Sequence, residues 1–178
     1  MRAALLAFAL LAACDSQGDE CSGAFIEPFP IALNFGDVHP ATSGTPESAP
    51  RRKTVLLHNT CGGTLRIERV CIVEDAHDGV EGDTAFEIEG PDRAEVGPGD
   101  VAGIRVTFEH VTLNTSPTPG AVPPDRAALI VQTNAENAPT VAVPLCARLV
   151  APGSQHEPFE CPQTFPVPPE GLPELCAD

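Results

Sequence analysis

The sequence predicts an all-β protein built as an antiparallel β-sandwich. Twenty prolines and fifteen glycines are spread over 178 residues, so few stretches of a dozen residues could form an uninterrupted helix. Short apolar runs recur between these turn residues at the intervals of strands. Trp and Tyr are absent and there are eight Phe, which predicts a core made mainly of Val, Ile, Leu and Ala. The length suits one domain with tails.

Seven segments carry the apolar patterning and the flanking turn residues of strands. In chain order they are residues 31–38, 53–60, 64–73, 84–90, 101–110, 127–133 and 139–150. The first strand is expected to end at Gly36 and Asp37. The third changes the parity of its apolar positions, and a β-bulge near Arg69 explains the change. Pro98 and Gly99 predict a turn before the fifth strand.

The fifth strand alternates most clearly, since Ile104, Val106 and Phe108 share one face. In the seventh strand, Pro144 and Cys146 fall on the face opposite most of the apolar side chains. Proline is tolerated mainly in strands at the border of a sheet. The seventh strand is therefore predicted to be an edge strand, with a disulfide tying its outer side to the tail.

The first thirteen residues have the features of a secretory signal peptide, with Arg2 followed by the apolar stretch 3–13. This stretch is too short for a transmembrane helix, which needs about twenty residues. The letters "LAAC", which end at Cys14, resemble the lipobox of bacterial lipoproteins. The resemblance implies cleavage before Cys14, a diacylglyceryl group on its thiol and attachment to a membrane. The alternative is an ordinary secreted protein whose cleavage site lies beside a cysteine.

Residues 14–24 are polar and acidic, which predicts a flexible tether between the lipid and a folded body. Asp15 resembles a signal that retains some lipoproteins in the inner membrane, and both membranes remain open. The expected location is the bacterial cell envelope, with a lipid anchor in the inner or outer membrane. The folded domain would lie in the periplasm or at the cell surface.

Seven cysteines are an odd number for an exported protein, and a lipid on Cys14 leaves an even set of six. The six candidates for disulfide bonds are Cys21, Cys61, Cys71, Cys146, Cys161 and Cys176. They allow fifteen pairings, among which the sequence does not choose. There is no C-x-x-C and no His pair at i, i+4, which disfavours a zinc site. Three disulfides in an oxidising compartment are expected instead.

The order of motifs between residues 31 and 150 resembles the Hydin-type (ASH) immunoglobulin-like domain, whose bacterial relatives are called choice-of-anchor D repeats. The matching positions are Leu33, Phe35, Gly36 and Val38 in the opening strand, Pro98, Gly99, Val106 and Phe108 in the middle, and Thr133, Asn134 and Pro139 in the closing turn. Cys61 departs from the pattern, because the turn often has Gly there, and the loop before Ala127 is enlarged. The resemblance implies a seven-stranded immunoglobulin-like sandwich without catalytic residues, used as a spacer or interaction module.

The predicted organisation has four parts. They are a lipoprotein signal peptide at 1–13, a tether at 14–24, an immunoglobulin-like β-sandwich at 25–150 and a Pro-rich tail at 151–178. Cys161 and Cys176 would staple the tail to the sandwich by disulfides.

Composition and motifs exclude several functions. A formal charge of −15 makes nucleic acid a poor partner. No G-x-S-x-G motif is present, and Ser154 and His156 lie in the Pro-rich tail. No enzyme activity and no cofactor are therefore predicted.

An acidic loop at 74–83 offers the candidate metal ligands Asp75, Asp78, Glu81 and Asp83, but its spacing fails the EF-hand pattern. The resulting hypothesis is a non-enzymatic, membrane-anchored lipoprotein that serves as a structural or protein-interaction module, with an unidentified protein partner in the envelope. The alternative is a calcium-dependent or carbohydrate-binding module that uses this loop or the loop at 114–125.

Overall fold

The computed structural model describes residues 21–40, 51–74, 85–109, 122–154, 156–164 and 176. These residues form nine strands, which are β1 (Ile26–Phe29), β2 (Leu33–Val38), β3 (Arg52–Asn59), β4 (Leu65–Glu74), β5 (Phe86–Glu89), β6 (Glu95–Val96), β7 (Val101–Phe108), β8 (Asp125–Thr133) and β9 (Thr140–Leu149). Within these ranges there is no helix long and apolar enough to cross a membrane.

The strands form two sheets packed face to face. Sheet A has the order β1-β3-β7-β5, and sheet B has the order β2-β9-β8-β4-β6. All neighbouring strands are antiparallel except β2 and β9, which are parallel. The central order matches the two sheets of an immunoglobulin domain, with its first strand divided between them. The prediction of an all-β, immunoglobulin-like sandwich is confirmed.

The described residues contain nine strands rather than the seven predicted. The additional strands are β1 and β6. Pro28 lies inside β1, and proline in a short run argues against a strand unless it lies at a sheet edge, which is where β1 lies. β6 is two residues long, so it carries no alternation that a sequence pattern could reveal.

The predicted bulge in the third segment is confirmed, because the pairing of β4 with β8 shifts register between Ile67 and Arg69. The first segment ends at Val38, as its predicted bounds have it, but Gly36 and Asp37 do not terminate the strand. Gly36 lies inside β2, where a positive φ of 70° allows a bulge. The Asn34 side chain accepts a hydrogen bond from the Gly36 N–H at 2.8 Å and stabilises this bulge. β2 therefore continues to Val38.

The prediction that the last strand lies at an edge is wrong, because β9 lies between β2 and β8. Its pairing with β2 begins only at Leu145. Pro144 therefore lies in the part of β9 that β2 does not accompany, and its missing N–H is tolerated there. The predicted tie between Cys146 and the tail is present, and is described below.

The core lies between the sheets and has an aromatic centre. The rings of Phe35, Phe86 and Phe108 contact one another, with centroids 5.3 to 6.4 Å apart. Aliphatic side chains from both sheets complete it, and those fully buried include Ile26, Val55, Leu57, Leu65, Ile104, Leu129, Leu145 and Leu149. β8 and β9 are also buried on their outer faces, as is typical of strands covered on both sides.

Replacing Phe108 with alanine should lower the free energy of unfolding by about 3 to 5 kcal/mol, because it opens a cavity among three rings. Phe29→Ala is the matched control: its ring is 71% exposed, and a change below about 0.5 kcal/mol is expected. Urea unfolding of both variants measures the difference. Equal losses would contradict the position of the aromatic centre.

Candidate interaction surface

The first described residues are fastened to one end of the sandwich. Cys21 forms a disulfide with Cys61, with 5.4 Å between their Cα atoms. The N–H of Gly62 donates to the carbonyl of Cys21, and that of Gly63 to the carbonyl of Gly23. A Cβ on Gly63 would lie 2.6 Å from the Gly23 carbonyl carbon, so only glycine permits this approach. Residues 21–24, assigned to the tether from sequence, are thus held against the sandwich.

Buried Asn59 organises the turn beside this disulfide. Its side-chain amide donates to the carbonyls of Gly63, at 2.7 Å, and Val96, at 3.0 Å. Its side-chain oxygen accepts from the N–H groups of Phe25 and Cys61. A buried amide costs free energy unless it is hydrogen-bonded, and here each polar atom has partners.

Two further disulfides attach the described C-terminal residues, 156–164 and 176, to the outer face of sheet B, and these residues are called the C-terminal segment. Cys146 on β9 bonds Cys161, and Cys71 on β4 bonds Cys176. Their Cα–Cα distances are 5.6 and 5.8 Å, within the usual range. Cys176 also packs against Ala128 and Ile130, which belong to a second apolar cluster separate from the main core.

Arg148 joins four parts of the chain beneath this segment. Its side chain is 3% exposed and makes a two-point ion pair with Asp37 on β2, at 2.7 and 2.9 Å. Two further N–H groups, on Nη1 and Nη2, donate to the carbonyls of Val122, at 2.9 Å, and Glu157, at 3.0 Å. The ring of Phe159 lies 5.0 Å from the guanidinium. The guanidinium of Arg148 therefore connects β9 with β2, with the segment before β8 and with the C-terminal segment.

The role of Arg148 was not predicted from the sequence. Its signal was present, because one charged residue interrupts the apolar run "VAVPLCARLV", and a charge buried in a strand must be paired. The partner Asp37 stands 111 residues earlier in the chain, so the sequence could not name it.

Several predicted site residues lie outside the part of the chain that the structure describes. They are Cys14 and the acidic-loop residues Asp75, Asp78, Glu81 and Asp83; of the 114–125 loop, residues 114–121 are also outside it. Lipidation, calcium binding and carbohydrate binding therefore stay predictions. In the described ranges, no group of three or more His, Cys, Asp or Glu side chains is placed to hold a metal ion.

Ser154 and His156, which the sequence analysis considered as a Ser/His pair, form no hydrogen bond to each other in the described structure. The Ser154 hydroxyl donates instead to the carbonyl of Ala151, three residues earlier. That bond, with the parallel bond from the Ser154 N–H, makes a local turn, and no strand or helix positions the two side chains as a nucleophile and base.

The outer face of sheet A, in contrast to that of sheet B, exposes large apolar side chains. Phe29 on β1 and Leu56 on β3 are direct cross-strand partners and are 71% and 40% exposed. Gly103 lies opposite Leu56 on β7 and adds no side chain, and the nearby Val101 is 42% exposed. Phe29, Leu56 and Val101 are called the apolar strip below.

A groove of about 680 Å³ opens where the chain crosses from β1 to β2, between this crossing and the residues around Cys161. Ile31 and Phe159 supply apolar walls, Arg126 and Glu160 supply opposite charges, and the Cys146–Cys161 disulfide lies at its side. Its mixture of exposed apolar and charged groups is typical of a surface that contacts another protein.

No protein-family model matches the chain. No curated protein matches it in sequence. Solved structures with a similar fold include a protein of unknown function from Porphyromonas gingivalis W83, 18% identical, with a TM-score of 0.44, covering 71% of this chain and 47% of that one.

The Pseudomonas aeruginosa CupB2 chaperone is 16% identical, with a TM-score of 0.40 over 72% of this chain and 57% of that one. ASH/PapD-like domain 7 of human CEP192 is 13% identical, with a TM-score of 0.42 over 85% and 97%. The chain thus spans about half the length of the first two proteins. Similarities of this size carry no information about function.

Replacing Arg148 with methionine should lower the free energy of unfolding by about 3 kcal/mol, because the carboxylate of Asp37 and two carbonyls lose their partner. Hydrogen exchange at 156–164 should become faster. Arg66→Met is the control: its ion pair with Glu95 is about two-thirds exposed on both sides, and a loss below about 1 kcal/mol is expected. Urea unfolding and exchange mass spectrometry provide the two readouts. Unchanged exchange at 156–164 would contradict the role of Arg148.

Proposed function

We propose that the protein is a lipid-anchored module of the bacterial cell envelope that binds another protein through sheet A. One observation carries the binding part of the proposal, the difference between the two sheets. The outer face of sheet B holds a segment fastened by two disulfides, whereas the outer face of sheet A exposes the apolar strip. Contiguous exposed apolar side chains mark interaction sites more often than chance placement.

The disulfides support a location outside the cytosol. Structural disulfides form and persist in oxidising compartments and are rare where thiols are kept reduced. All six cysteines that remain after Cys14 is set aside are paired. The lipobox resemblance gives the seventh a separate chemical role, as the acceptor of the lipid.

The attachment of Cys21 limits the distance between the sandwich and the membrane. Cys21 stands seven positions after Cys14, the proposed site of the lipid, and a fully extended chain over these seven steps spans at most about 25 Å. The end of the sandwich that carries Cys61 would therefore lie close to the membrane. The tether of the proposal is then residues 15–20, because residues 21–24 are bonded to the sandwich.

The Cys14→Ala variant should lose its attachment to membranes, because it lacks the thiol that accepts the lipid. Fractionation of cells and mass spectrometry of the N-terminal peptide measure this. The matched control replaces Cys21 and Cys61 together with serine, which removes two thiols and leaves the lipobox intact. That variant should stay in the membrane fraction. Normal processing and membrane association of Cys14→Ala would show that the anchor is wrongly assigned.

A photo-cross-linking amino acid at position 56 should form an adduct with a second protein in intact cells, because the apolar strip would be covered by the partner. The control places the same amino acid at position 68, which is exposed on sheet B. Adducts are detected by their shift in gel mobility. Equal labelling at both positions, or none at position 56, would argue against sheet A as the binding face.

A further inference from the structure

The edge strands of the two sheets differ in whether their outward N–H and C=O groups are already hydrogen-bonded or blocked. An edge strand presents unpaired N–H and C=O groups and can accept another strand, so proteins usually protect such edges. Sheet A ends in β1 and β5, and sheet B ends in β2 and β6. β6 is only two residues long and offers little backbone. A partner strand could therefore be added only at one of the three longer edge strands, β1, β2 or β5.

The edge of β1 is closed by a side chain and a proline. The amide of Asn137 accepts from the Ile26 N–H and donates to the Ile26 carbonyl, both at 2.9 Å. It thereby occupies the backbone groups that a partner strand would use. Pro28, two residues later, is directed to the same side and has no N–H.

The edge of β2 is also occupied. The carbonyl of Asn34 accepts from the Lys53 ammonium at 2.6 Å. The carbonyl of Leu33 lies 3.9 Å from the sulfur of Cys161. The bulge at Gly36, whose N–H is held by the Asn34 side chain, interrupts the strand further. A bulge at an edge is a common protection against pairing.

Among the described residues, the edge of β5 is open. The Glu109 N–H donates to the Ala85 carbonyl, and Glu87 and Glu89 lie opposite Thr107 and Arg105 of β7. Because backbone groups alternate in direction, those of Phe86 and Ile88 point away from β7. Within the described part of the chain, these outward groups have no hydrogen-bond partner.

The position and side chains of β5 also favour access. Phe86 pairs with Phe108, at the end of sheet A opposite the turn that binds Cys21, and so away from the membrane in the proposed orientation. Ile88 packs against the main core but is only partly buried. An apolar side chain on an added strand would complete its burial.

The side chains on the outer face of β5 restrict the partner. In an antiparallel pair across this edge, Phe86 and Ile88 would be the hydrogen-bonded positions and Glu87 the closer, non-hydrogen-bonded position. Glu89 already pairs with Arg105 at 2.5 Å, whereas Glu87 lies opposite the neutral Thr107. A second copy of β5 would place glutamates against glutamates, which is destabilising. A basic residue opposite Glu87 would be stabilising.

We propose that the outer edge of β5 accepts an extended segment of a partner protein as an additional antiparallel strand, with a basic side chain opposite Glu87 and apolar side chains beside Phe86 and Ile88. The proposal rests on the function proposed above, binding of another protein through sheet A, and names the edge and the chemistry of the bound segment. Recognition of an extended segment through main-chain hydrogen bonds is a general binding mode.

A soluble peptide of alternating lysine and valine, GKVKVKG, tests the proposal with the full-length protein extracted from membranes in detergent. Fluorescence anisotropy measures its affinity, and hydrogen exchange reports the amides of Phe86 and Ile88. Binding should slow exchange at these two amides by about tenfold or more, because they become hydrogen-bonded. The matched peptide GEVEVEG should bind about tenfold more weakly, because its glutamates oppose Glu87.

Three variants separate this edge from general attraction to an acidic protein. Glu87→Lys should reverse the preference between the two peptides, and Glu27→Lys, the same charge change on the opposite edge of sheet A, should leave it unchanged. Ile88→Pro should abolish binding of both peptides, because it removes an outward N–H without removing a hydrogen bond to β7. If Ile88→Pro fails to fold, Glu87→Lys and the exchange measurement still decide the result.

Equal affinity for both peptides, the same response to Glu87→Lys and Glu27→Lys, or unchanged exchange at Phe86 and Ile88 would each overturn the proposal. If the free protein forms a dimer and Glu87→Lys strengthens or weakens that dimer, the occupant of the β5 edge is a second copy of this protein. That result would overturn the proposal. Failure of the membrane anchor is read separately from Cys14→Ala, and a missing adduct at position 56 would leave binding at β5 unaffected. The failures of the two proposals can therefore be told apart.

Discussion

The buried guanidinium of Arg148 is the contact on which the arrangement of sheet B depends. Removing a charge from water is costly, and the cost is offset only when the charge is paired and all its donors are used. Asp37 supplies the paired charge, and two carbonyls from separate segments accept hydrogen bonds from two further N–H groups. These partners fix β2 beside β9 and hold the C-terminal segment against the sheet, so the geometry of this side follows from satisfying one cation.

The covering of sheet B leaves sheet A as the sheet with exposed apolar side chains. β8 and β9 are buried on both faces over their middle and later parts respectively, and disulfides join Cys161 and Cys176 to sheet B. The long loop of 105 residues closed by Cys71 and Cys176 restricts the unfolded chain strongly, by about 4 to 5 kcal/mol in the chain-entropy description. Sheet A has no equivalent cover in the described residues, and its apolar strip and the edge of β5 remain exposed.

The attachment of Cys21 relates this asymmetry to the proposed anchor. The N-terminal residues enter at the end of the sandwich that contains Asn59 and Cys61. Both sheets would then lie roughly perpendicular to the membrane surface, and β5 would lie in the half of sheet A farther from the membrane. A partner approaching from the envelope space would meet the exposed face and its open edge, because neither is turned toward the lipid.

The sequence by itself determined the local features of this protein. Alternation of apolar side chains located seven strands, and a change of parity located the bulge beside Arg69, because these signals extend over only a few neighbouring residues. Motif order indicated the immunoglobulin-like sandwich. The even set of six cysteines also followed from the sequence, once Cys14 was assigned to the lipobox.

Only the tertiary structure decided which distant residues meet. The partners of the cysteines stand 15 to 105 residues apart, and Asp37 stands 111 residues from Arg148. The interior position of β9, the contribution of β1 and the free edge of β5 depend on the order of strands in each sheet. Sheet order is set by packing both faces of every strand at once, and a local pattern contains no information about the neighbour that a strand will have.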